Sequence, residues 1–119
     1  LVRVSEATFV ETRTVGKVAL AKITSNSVGQ REAGIIEGSL KQVADGVKGR
    51  LAVDMTDVKV LGSMGLGMLV TLTKHCRGAG GRLALYGIEP GLMELIKLTR
   101  LDSFLAIARD EAAAIKAIS

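Results

Sequence analysis

The side chains able to do chemistry are few. The 119 residues include one His and one Cys, adjacent at His75 and Cys76. A Ser-His-Asp or Cys-His enzyme would have to use that single imidazole. One Cys closes no internal disulfide, and one Cys with one His cannot make a four-ligand zinc site of such residues. His75 follows Thr71 by four residues and falls on the polar edge of a helix, so it is expected as a solvated surface side chain. Cys76 follows Leu69 by seven and Leu72 by four, the spacing of a core position. It is expected as an unreactive buried thiol. Asp54 and Asp57 flank the end of an apolar run; Asp54 either orders the neighbouring glycine-rich segment by hydrogen bonds or caps a turn.

That segment, Gly62-Ser-Met-Gly-Leu-Gly67, is the stretch whose composition core and surface do not explain. No Gly-Lys-Ser/Thr follows, so it is not a P-loop, and its glycines lack the dinucleotide G-x-G-x-x-G order. It joins a strand to a helix and presents one hydroxyl, Ser63, beside residues with little or no side chain. Unpaired amides and the helix dipole favour negative charge there, so a phosphate carried by Ser63 would suit the field. The plainer alternative makes Ser63 an N-cap worth about 1 kcal/mol.

The elements that must position Ser63 follow from periodicity. Ala7–Arg13 and Lys17–Thr24 read as a hairpin reversing at Val15-Gly16. Ser25, Asn26 and Ser27 break the pattern, and Ile36, Leu40, Val43 and Val47 then share one helical face closed by Gly49. Leu51–Met55 reads as a strand buried on both faces, with Val58–Leu61 continuing or pairing with it. A second helix begins near Ser63, with Leu66, Leu69, Val70 and Thr73 on one face, and ends at Gly78–Gly81. Arg82–Tyr86 is a strand; Glu89-Pro90 opens a third helix with Leu92, Leu95 and Ile96 inward. Phe104–Ala108 is a last strand, and Asp110 caps a final helix carrying Ala112, Ile115 and Ile118 inward. The order ββαβαβαβα predicts one α/β domain over residues 1–119, with a mainly parallel sheet and an antiparallel edge.

Composition narrows the function. The formal charge is +4, with nine basic and seven acidic side chains in residues 1–60 and seven and five in 61–119. That even alternation, with aromatics at 3%, predicts an ordinary solvated surface and no nucleic-acid partner. Mean hydropathy is +0.35, yet no apolar run approaches the roughly 20 residues of a membrane span. The chain starts at Leu1, as a fragment would, and shows no charged-then-apolar signal segment. A reduced, cytoplasmic setting is expected. No cofactor or metal set is expected, and no acid/base pair surrounds Ser63, so the protein is not expected to be an enzyme.

The run Leu51–Leu69 followed by Gly80-Gly-Arg-Leu-Ala-Leu-Tyr-Gly87 resembles the STAS family, which covers anti-sigma factor antagonists and the cytoplasmic domains of sulfate transporters. The resemblance extends over roughly residues 7–118, through Leu98-Thr-Arg-Leu-Asp-Ser-Phe104. It implies a STAS-like α/β fold: a four- to five-stranded mixed, mainly parallel sheet with about four helices packed mainly on one face. In the antagonist branch the motif is Asp-Ser-Ser-Gly-Leu-Gly, and its first Ser falls on Ser63. The resemblance implies phosphorylation there by a serine kinase that is also an anti-sigma factor, release of the phosphorylated form, and restoration by a phosphatase. Gly62, Ser63, Met64, Gly65, Leu66 and Gly67 would form the contact surface. Gly62 stands where the family often has Asp and Met64 where it often has the second Ser; the acidic residue common near the end of the second strand is missing around Thr24 and Ser25. A STAS module never phosphorylated, such as a scaffold or transporter-associated domain, and a small-ligand or nucleotide-binding STAS domain are the alternatives.

Overall fold

A computed structural model of the chain describes residues 9–119. Ala7 and Thr8 of the expected first strand lie outside the described residues. A five-stranded sheet runs β1 (Val10–Val15), β2 (Val18–Ile23), β4 (Arg50–Asp54), β6 (Arg82–Tyr86), β7 (Ala106–Ile107) from edge to edge. Among the described strands only β1 is antiparallel; Gly16 at φ +60 makes the tight reversal into β2, and every later pairing is parallel. The helices α1 (Gln30–Gly46), α2 (Ser63–Gly78) and α3 (Pro90–Leu98) make the crossovers that parallel strands require, and α4 (Glu111–Ile118) follows the last strand.

Alternation along the strands sorts side chains by size. Leu51, Val53, Leu83 and Leu85 point to the face covered by α1, α2 and α3, where Ala33, Ile36, Leu40, Leu69, Leu72 and Ile96 complete the main core. Ala52 and Ala84 point to the other face, and their small size lets α4 lie close through Ala114 and Ile118. Each large side chain fully buried in the main core contributes roughly 1.5–3 kcal/mol. Three helices on one face and one on the other match the expected architecture.

Several expectations need correction. Val60–Leu61 (β5) does not join the main sheet; it pairs in parallel with a further strand, β3 (Ser27–Val28), in a separate two-stranded sheet. The last strand is only Ala106–Ile107, because Leu101–Ser103 forms a single 3-10 turn first. In α4 Ile118 is buried and Ile115 packs half-buried against the same cluster as expected, but the third inward residue is Ala114, while Ala112 is exposed. In α2 the face shifts toward Gly65, Met68, Leu72 and Cys76, leaving Leu66 and Val70 half-buried.

Candidate functional site

Ser63 begins α2 at the rim where the parallel strands end. The small β3–β5 sheet brings the chain there: Val28 stands opposite Leu61, and the Gly62 N–H donates to the Val28 carbonyl at 3.0 Å. Gly62 is extended (φ −78, ψ 177) and is itself the N-cap, its carbonyl accepting from the Leu66 N–H at 3.0 Å. Ser63 is therefore the first helical residue rather than the N-cap of the plainer expectation. Its side chain is exposed, and no side chain among the described residues caps the helix. The amides of the first turn have no side-chain acceptor among the described residues, and no acidic residue stands in the turn.

The six residues of the segment play unlike parts. A Cβ on Gly65 would come within 2.5 Å of Leu61 Cδ1 and 3.0 Å of the Val28 carbonyl oxygen, so this glycine lets α2 touch the β3–β5 sheet. Gly65 is buried and Leu66 half-buried. Gly67 is exposed, and a Cβ there would meet nothing within 4 Å. Packing gives no reason for a residue that costs a helix about 1 kcal/mol relative to Ala. Met64 is 54% exposed and Val60, just upstream, 59%. The outward surface at this helix start is a hydroxyl, a bare backbone and two apolar side chains.

The other candidates are placed as follows. Asp54 accepts from the Thr56 N–H at 2.9 Å and from the Thr56 hydroxyl, so it closes the turn after β4. Its observed bonds are those of the turn cap, not of a brace reaching residues 62–67. His75 is not freely solvated: Nε2 lies 2.8 Å from Asp45 Oδ1, linking the last turns of α1 and α2. Cys76 is buried as expected, and burial, followed by the Asp45 charge, pushes its thiol up to about 11. It is a poor nucleophile at neutral pH. Among the described residues, no group of three or more His, Cys, Asp or Glu is placed to hold a metal ion.

Two features escaped the sequence reading. Glu32 caps α1 by accepting from the Gly29 N–H at 2.9 Å; the Gly-x-x-Glu spacing at residues 29–32 was the available signal. A cleft of about 570 Å³ on the α4 side holds Arg13, whose Nη2 donates to Glu111 Oε1 at 2.7 Å, and Tyr86, whose hydroxyl donates to the same oxygen at 3.2 Å. Burial, with Asp54 and Glu111 adding to it, pushes the Tyr86 phenol up, so it remains a proton donor. No local pattern links residues 13, 86 and 111.

The STAS domain sequence model matches residues 10–114. Solved structures with the same fold include a Thermotoga maritima protein assigned as an anti-sigma factor antagonist: 19% identity, TM-score 0.76, covering 95% of this chain and 97% of that one. An anti-sigma factor antagonist (STAS) domain protein from Planctomyces limnophilus is 18% identical with a TM-score of 0.77, covering 91% and 96%. The Bacillus cell fate determinant SpoIIAA in its phosphorylated form is 12% identical with a TM-score of 0.64, covering 91% and 98%. No curated protein matches the sequence.

Proposed function

The chain belongs to the STAS domain family, and from that premise we propose that it is a protein-interaction switch of the anti-sigma factor antagonist kind, controlled by phosphate on Ser63. The observation that carries this reading is the state of the α2 N-terminus: an exposed serine as the first helical residue, amides without a side-chain cap beside it and no acidic side chain in the turn. The unmodified surface of Ser63, Met64 and Gly67, with Gly62 and Leu66 at its margin and Gly65 beneath, binds a partner that is both serine kinase and anti-sigma factor. Phosphorylation adds roughly −1.5 to −2 charges in the middle of that contact, and a phosphatase reverses it. Desolvating such a charge against apolar neighbours opposes binding. The role is binding rather than catalysis; Ser63 is the substrate of the partner. The fold shared with phosphorylated SpoIIAA is in keeping with this reading.

Titration calorimetry against the partner tests it. Ser63→Ala retains the affinity of the unmodified protein, and Ser63→Asp weakens it by about tenfold or more, as expected for a charge worth roughly 1.4 kcal/mol or more in a desolvated contact. Equal affinities for the two variants would overturn the switch. They would select the second reading, a STAS contact module without phosphate control, which Gly62 and Met64 favour by standing where the family motif has Asp and Ser.

A further inference from the structure

Charges that alternate along the chain separate in space once the strands are aligned. The rim where the parallel strands begin gathers residues 14–17, 45–50, 78–82, 97–104 and 116–119, which carry seven cations and two carboxylates. The opposite rim, built from residues 22–32, 54–63, 86–91 and 107–111, carries four cations and six carboxylates. An evenly spread surface, as the sequence suggested, is therefore not what the fold presents.

Four observations suit the basic rim to an anion. A hollow of about 480 Å³ lies between the β1–β2 turn and the loop before β4; Lys17, Lys48 and Arg50 line it with no carboxylate among its walls. Arg50 and Arg82 are direct partners on neighbouring strands, where like charges repel. Among the described residues no carboxylate pairs with any of these four cations. Lys48 and Arg100 both hold left-handed backbone, φ 55 and φ 62, which Gly or Asn would adopt at lower cost.

The same rim carries apolar tips. Leu98, between Lys97 and Arg100 on either side in sequence, is 80% exposed at the end of α3, and Val15 is 41% exposed at the hairpin turn. Aromatic side chains on which bases could stack are nearly lacking. Exposed aliphatic tips on the same rim as these cations suit a surface that is anionic outside and apolar just beneath. We propose that this rim docks on an anionic phospholipid bilayer, a headgroup phosphate entering the Lys17–Lys48–Arg50 hollow while Leu98 and Val15 enter the interface. Ser63, on the opposite rim, stays open to its partner in that orientation.

Flotation with vesicles tests the proposal. The protein floats with vesicles of equal parts phosphatidylcholine and phosphatidylglycerol at low salt, and not with phosphatidylcholine alone; added salt releases it. Each basic side chain near such a surface contributes about fivefold, so Lys17→Gln with Lys48→Gln weakens binding about thirtyfold. Leu98→Ser weakens it severalfold at unchanged salt dependence, with the melting temperature of each variant confirming its fold. No flotation with anionic vesicles, equal flotation with both kinds, or displacement by duplex DNA bound more tightly at the same salt would each overturn it.

Discussion

The α1 and α2 N-termini are built on the same plan and finished differently. β3 and β5 run side by side, Val28 opposite Leu61, and each passes into a glycine N-cap, Gly29 and Gly62. Three residues into α1 stands Glu32, whose carboxylate turns back and accepts from the Gly29 N–H, the N3 half of a capping box. Three residues into α2 stands Gly65, where a Cβ would collide with Leu61 and the Val28 carbonyl. Close packing against the β3–β5 sheet thus denies α2 the side chain that closes its neighbour. α3 and α4 also begin with a carboxylate, Glu89 accepting from the Gly91 N–H and Asp110 from the Ala113 N–H. Three helix starts are occupied by the chain's own acids; the fourth is left open, with a serine on it.

If that difference is enforced by packing, enlarging Gly65 has the largest effect. Gly65→Val should destabilise the fold by about 2–3 kcal/mol through overpacking against Leu61 and Val28, read as a lower urea midpoint with an unchanged slope. A stability within about 0.5 kcal/mol of the parent, the spread of ordinary surface substitutions, would show that close approach is not what keeps the position bare. Removing the cap from the other helix comes next. Glu32→Ala should cost about 1 kcal/mol, because the partly buried Gly29 N–H loses its acceptor. The smallest change runs the other way. Gly62 has room for a Cβ, whose nearest neighbour would be the Val28 carbonyl oxygen at 3.6 Å, so Gly62→Asp should cap α2 and add about 0.5 kcal/mol. It also restores the acid of the family motif. A loss of stability instead would mean that the open start of α2 is not short of a cap.

Much of this was legible beforehand, and the reasons for the remainder are physical. Leu51–Val53 and Leu83–Leu85 are short apolar runs between helical patterns, which is why the parallel sheet could be read. β3 and β5 have two residues each, too short for any periodicity to show, so their pairing emerged only in the fold. α4 is rich in alanine, and Ala112, Ala113 and Ala114 look alike from the sequence; depth in the sheet groove chose Ala114. The pairing of His75 with Asp45 spans 30 residues, and the basic rim depends on strand direction, so neither leaves a local trace. Ser63 was found because its segment lacked a core explanation, but its place as first helical residue rather than cap needed backbone angles.

The central claim is that the uncapped start of α2 exists to carry and lose a phosphate. Incubating the protein and its Ser63→Ala variant with the serine kinase/anti-sigma partner and ATP, then weighing the intact proteins, addresses it directly. The account predicts a mass gain of one phosphate, confined to Ser63 by fragmentation and missing from the variant. No gain with an active kinase, or a phosphate placed on another residue, would contradict it.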